Sequence, residues 1–177
     1  GVTSMSKAVR GDENTINLAE RRLFSPSFKP LYDEGMGLVE KTAEYLDGPG
    51  RAEAKKLSRL AATLYAAESM RLTTRLMQVA SWLLLQRAAN SGEMTREQVA
   101  AEKSKVRLDT ASAHDRAEGW SELPEDFRTL VSHSLNLQGR VRRLDDEIYG
   151  ADPLAGAGMT NPVSDQITLL NTAFARG

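Results

Sequence analysis

Few residues of this chain have types and spacings that could do chemistry. There are two histidines, His114 and His133, and they do not stand at metal-ligand spacing. Cysteine is absent, which removes thiolate nucleophiles, disulfides and Cys-ligated zinc together. Gly35-Met36-Gly37 lies inside a helical pattern with no Lys-Ser/Thr behind it, so it reads as a place of close helix approach rather than a phosphate loop. His133-Ser134-Leu135-Asn136 begins like the His-x-Leu-Lys-Gly pattern of histidine phosphotransfer domains. Asn136 and Leu137 then replace the lysine and glycine, and with the lysine goes the charge that would hold a phosphoryl group. A solvated His133 is the expectation, and phosphotransfer its rival. Glu68 falls where an apolar helix face would place a leucine, with Arg71 and Arg75 in reach as partners for a structural ion pair. No catalytic, cofactor-binding or metal-binding residue emerges, and the chain reads as a non-enzyme.

The elements that carry these residues follow from periodicity and stop signals. Ser25 and Pro26 suit a helix start, and Leu31, Gly35, Leu38, Thr42 and Tyr45 recur at helical spacing until Asp47-Gly48-Pro49-Gly50. Residues 51–90 contain no Gly or Pro and predict one rod of roughly 60 Å, ended by Ser91-Gly92. Thr95 and Gln98 form a capping box for a short helix to about Leu108. Residues 109–123 read as a surface loop. Pro124, Glu125 and Asp126 open a last long helix, whose Phe127, Leu130, Ser134, Leu137, Val141, Leu144 and Ile148 share a face to Tyr149. No period-two alternation appears. The expected fold is all-α: an antiparallel three-helix bundle over residues 25–150, with one extra short helix and flexible termini.

Residues 1–24 are expected as a flexible arm, with Gly1 to Ser4 ahead of Met5 a remnant of cloning. Residues 151–163 are rich in Gly and Pro and read as a tether, followed by a short helix bearing Ile167, Leu170 and Phe174. Charge is balanced, 23 Lys and Arg against 24 Asp and Glu, which disfavours direct nucleic-acid binding. It is unevenly placed: residues 31–47 have a net of −4 and residues 51–90 a net of +5. Arg140, Arg142 and Arg143 precede Asp145, Asp146 and Glu147, giving either self-neutralisation or a docking patch for an acidic partner. The longest apolar run, Val79 to Leu85, is too short to span a bilayer, so the expected location is cytoplasmic without membrane insertion. The far half of the long rod is apolar all round. That predicts a homodimer through Leu72, Leu76, Val79, Trp82 and Leu83, against a rival monomer in which residues 93–120 fold back over Trp82.

Two stretches carry a family resemblance: Ser81-Trp82-Leu83-Leu84-Leu85-Gln86-Arg87-Ala88 with Gly92-Glu93-Met94-Thr95, and Leu123-Pro124-Glu125-Asp126-Phe127-Arg128 through Gly139-Arg140-Val141-Arg142-Arg143-Leu144-Asp145-Asp146. Over roughly residues 24–150 the chain resembles the alphaproteobacterial regulator of CtrA degradation family (RcdA-like, DUF1465). The resemblance implies a non-enzymatic adaptor of the AAA+ protease ClpXP, acting after priming by a CpdR-type response regulator. It implies delivery of cell-cycle substrates, CtrA among them through a PopA-type adaptor, and an association with the cell pole. It also implies a dimeric three-helix bundle without a cofactor. Besides phosphotransfer at His133, a purely structural polar-localisation protein remains an alternative.

Overall fold

The computed structural model describes residues 28–113 and 115–150. Its elements are α1 (Phe28–Asp47), α2 (Pro49–Ala54), α3 (Arg59–Asn90), α4 (Arg96–Lys103), a single 3-10 turn (Trp120–Glu122) and α5 (Glu125–Tyr149). No strand occurs among the described residues, so the fold is all-α. The chain forms two compact units, the described residues up to Arg143 belonging to one and residues 144–150 to the other. In the second, Gly150 donates its N–H to the Asp146 carbonyl (2.8 Å) as α5 ends.

In the first unit α1, α3 and α5 enclose one core. Phe127 of α5 stands 4.5 Å, centroid to centroid, from Tyr65 and 6.3 Å from Tyr45. Toward the other end, Gly35 of α1 faces Leu83 and Leu137 so closely that an added Cβ would lie 2.5 Å from a Leu83 methyl. A Cβ there would force the buried Leu83 side chain to move, so Gly35 serves close helix approach. Gly37 has nothing within 4 Å of such a Cβ, so close approach explains the first glycine and not the second. These pairings run α1 antiparallel to both α3 and α5. The two long helices α3 and α5 are parallel, because residues 91–124 carry the chain back along α3 before α5 begins.

The expected single rod over 51–90 is broken. α2 stops at Ala54, and Ser58 caps a new helix by accepting from the Ala61 N–H (3.2 Å). A residue that competes for backbone donors can restart a helix without any Gly or Pro. The break turns α2 against α1, where Tyr45 donates to Glu53 (2.5 Å) and Gly50 lies beneath the Tyr65 hydroxyl. The 32 residues of α3 then extend about 48 Å rather than 60. Its end follows the sequence: Gly92 takes φ 76° and the Glu93 N–H reaches the Ala88 carbonyl (3.0 Å). The Thr95–Gln98 capping box forms in both directions, although α4 ends at Lys103 rather than near Leu108.

Candidate functional site

The charged positions of α3 fall seven residues apart on its buried side. Glu68 and Arg75 are both 0% exposed; Glu68 pairs with Arg71 as the sequence suggested, whereas Arg75 finds its partners outside the helix. Arg75 spreads its donors over three segments: Nε to the Thr110 carbonyl (3.0 Å), Nη2 to the Ser112 hydroxyl (2.6 Å) and Nη1 to the Ser134 hydroxyl of α5 (2.8 Å). One oxygen of Glu68 accepts from Arg71 Nη1 (2.5 Å) and from the Ala113 N–H (2.8 Å). Burial opposes ionisation of Glu68, but the Ala113 N–H, Arg71 and Ser112 together hold its carboxyl below the ordinary value. Burial lowers Arg75 from its ordinary value while Glu68 opposes the change, and a guanidinium stays charged throughout. Thr110 adds a hydroxyl bond to Gln78 (2.8 Å), and its carbonyl also accepts from Gln138 (3.3 Å).

Residues 106–113, expected as part of a surface loop from 109, are therefore a strap pinned along α3 and reaching α5. Polar residues hold it, which is why its sequence looked like surface. The legible signal was on the other side: two charges on an apolar stripe require polar partners from somewhere. Trp82 is 0% exposed within its own chain. So are Leu72 and Leu83, while Val79 is 1% and Leu76 3% exposed. The five residues expected at a dimer interface thus form the core of a single chain, because α1 and α5 flank more of α3 than their lengths alone implied. They present no side-chain surface to a second copy. The large apolar residues that α3 exposes are Leu60 near its start and then Met70, Met77 and Leu84, the last three again seven apart. Met77 also borders an open groove of about 470 Å³ with Thr74, Gln78, Ser81, Lys105, Val106 and Arg107.

At the α1–α5 seam, Glu34 takes both His133 Nε2 (2.8 Å) and Arg140. The Arg140 hydrogen bond, opposed by burial and aided by His133, holds the Glu34 carboxyl below its ordinary value. His133 is therefore a seam residue facing a carboxylate, an arrangement that repels an incoming phosphoryl group. Arg140 is likewise engaged within the chain, while Arg142 and Arg143 are exposed. Ile167, Leu170 and Phe174 lie outside the described residues. Among the described residues no group of His, Asp and Glu is placed to hold a metal ion, and no helix is long and apolar enough to cross a membrane. The outer faces carry the exposed Met70, Met77 and Leu84 on α3 and the exposed Arg142 and Arg143 on α5.

In comparison with known proteins, residues 19–174 match the family described as "Protein of unknown function (DUF1465)". Among solved structures, the chain is similar to RcdA from Caulobacter crescentus CB15, with 50% identity and a TM-score of 0.60. The match covers 73% of this chain and 98% of that one. No curated protein matches.

Proposed function

The chain belongs to the DUF1465 family, and from that premise we propose that it is a non-enzymatic adaptor that helps deliver cell-cycle regulators such as CtrA to the ClpXP protease. The observation that carries the proposal is the 50% identity to RcdA across nearly the whole of that chain. A pinned three-helix unit with exposed apolar and basic faces, and no metal-holding cluster among the described residues, suits such a role. In this reading a CpdR-type regulator primes the protease, a PopA-type adaptor assists with CtrA, and the complex concentrates at a cell pole in the cytoplasm. Residues 151–177, through Ile167, Leu170 and Phe174, would hold one partner as a tethered helix, raising its local concentration.

The adaptor works in this proposal as a homodimer, with the interface moved to the exposed line of α3. Met70, Met77 and Leu84 are 73%, 65% and 50% exposed, and a seven-residue repeat is the spacing of a helix–helix seam. Purified ClpXP, primer and substrate, with and without this chain, test the function directly. Faster substrate loss only in its presence is the expected result. An unchanged substrate lifetime, with every other component active, would overturn the adaptor reading in favour of a structural or polar-localisation protein. Deleting residues 151–177 should leave helicity intact and weaken one partner interaction; full delivery by the truncated chain would remove the tail from the proposal.

A further inference from the structure

We propose that the outward line of α5, formed by Arg128, Ser132, Leu135, Gly139 and Arg142, is a docking track for an acidic amphipathic helix of another protein. The five residues recur at steps of four and three, so they align along one side of the helix for about 21 Å. Between Phe127 and Leu144, α5 carries Arg128, Arg140, Arg142, Arg143 and His133 without a carboxylate; Glu125 and Asp126 precede this stretch and Asp145, Asp146 and Glu147 follow it, so the acidic residues of α5 lie at its two ends. Glu34 of α1 neutralises only Arg140 and His133, which lie to one side. Arg142 and its neighbour Arg143 are exposed at one end of the line, Arg128 is half-buried at the other, and Leu135, 37% exposed, is midway. Gly139 adds an independent observation. A Cβ there would meet nothing within 4 Å, so no neighbour in the chain requires the glycine, although it costs a helix about 1 kcal/mol relative to alanine. A low point beside an exposed leucine, bracketed by guanidiniums, lets a second helix approach closely.

Charge and spacing specify the occupant. It bears carboxylates fourteen residues apart with an apolar side chain midway, to meet the arginines and Leu135 together. A second copy of this chain fits less well. Its α1 has an outward acidic line at the same steps, Asp33, Gly37, Glu40, Glu44 and Asp47, but no apolar side chain on it to cover Leu135. A seam of exposed ion pairs alone contributes at most about 1 kcal/mol per pair. Nucleic acid fits less well too, because the acidic line of α1 stands on the helix packed against α5 and would repel phosphates. The inference rests on the adaptor reading, for which it names one partner surface, but its test needs no protease.

The probe is a fluorescently labelled, capped helical peptide of about 20 residues with Glu at i and i+14, Leu at i+7 and Ala and Gln elsewhere, beside a control with Lys for Glu. Anisotropy titrations of the full chain should show salt-sensitive binding of the Glu peptide only. Arg142→Glu with Arg143→Glu should weaken it about tenfold. Gly139→Leu, which has room to fold and should keep its circular-dichroism melt, should weaken it by a similar factor of about ten by blocking the approach. Undiminished binding to Gly139→Leu would mean general charge attraction and overturn the proposal, as would equal binding of the two peptides. So would light scattering showing that the Arg142→Glu, Arg143→Glu chain has lost a dimer, since the line would then belong to a second copy. A chain that binds the peptide yet fails to accelerate proteolysis refutes only the adaptor reading.

Discussion

The inner side of α3 and the outer side of α5 both carry arginine, and they differ in where the donors go. Arg75 is enclosed, with its guanidinium bonded to two strap residues and one hydroxyl of α5. Arg142 and Arg143 are exposed to solvent, with Asp145, Asp146 and Glu147 in the turn that follows. An enclosed guanidinium is bound to the fold, since losing it strands several buried acceptors and the nearby Glu68 carboxylate. An exposed one contributes little to folding and leaves its donors available for another molecule. The same residue type thus marks architecture in one place and recognition in the other, and burial separates the two.

Substitutions can break or sharpen that division. The largest effect is expected for Arg75→Ala, a loss of about 3–5 kcal/mol in denaturant unfolding, with the strap becoming susceptible to proteolysis. A loss under about 1 kcal/mol would mean that the buried network does not hold the strap. Next comes Glu68→Gln, expected to cost about 1–3 kcal/mol near neutral pH. Its pH dependence has a definite sign. The folded-state carboxyl is held below its ordinary value, so its stabilisation is full above the unfolded value of about 4.3 and is lost as pH falls through the folded one. The Glu68→Gln variant should therefore converge on the parent under acid. Stability curves that stay parallel to the lowest pH would contradict this.

Smaller contrasts follow. Gly35→Ala should destabilise by about 1–3 kcal/mol because Leu83 is buried and has little room to move. Gly37→Ala, two residues away on the solvent side, should instead stabilise by up to about 1 kcal/mol. Equal signs in thermal melts would show that the two glycines are not divided by packing. The smallest effect on folding belongs to Arg142→Ala, within about 0.5 kcal/mol of the parent. A larger loss would place Arg142 with the architectural residues and sharpen the boundary against the docking proposal.

How much of this the sequence discloses depends on the range of the interaction that fixes it. α1, the Gly92 stop and the Thr95–Gln98 box are set by residues a turn apart, and all were legible. The helix restart at Ser58 was not, because its cap competes inside a stretch of strong helix formers and carries no Gly or Pro. The strap was least legible of all. Thr110, Ser112 and Ala113 have ordinary surface composition and acquire their role only from Glu68 and Arg75, some 35 to 45 residues earlier. Of the candidate residues, the arginines of α5 were legible as a charge cluster, but not that Glu34 would engage Arg140 and leave Arg142 and Arg143 exposed. The leucines and Trp82 of α3 were misplaced to an interface because their burial depends on how α1, α5 and the strap share its flank.

The parallel placement of α3 and α5 also bears on the order in which the molecule assembles. Tyr45 and Tyr65 lie close in sequence, so α1 can fold back on α3 by closing a short loop. The Arg75–Ser134 bond, by contrast, joins residues 59 apart and requires the chain to travel the length of the bundle first. Loop-closure entropy and contact order then favour an early α1–α3 hairpin, with α5 and the strap arriving afterwards. Pulsed hydrogen exchange should find amides of α1 and α3 protected before those of α5. During synthesis the α1–α3 hairpin would emerge with Leu72, Leu76, Val79 and Trp82 still uncovered, so the growing chain passes through a sticky stage that ends only when its last long helix docks.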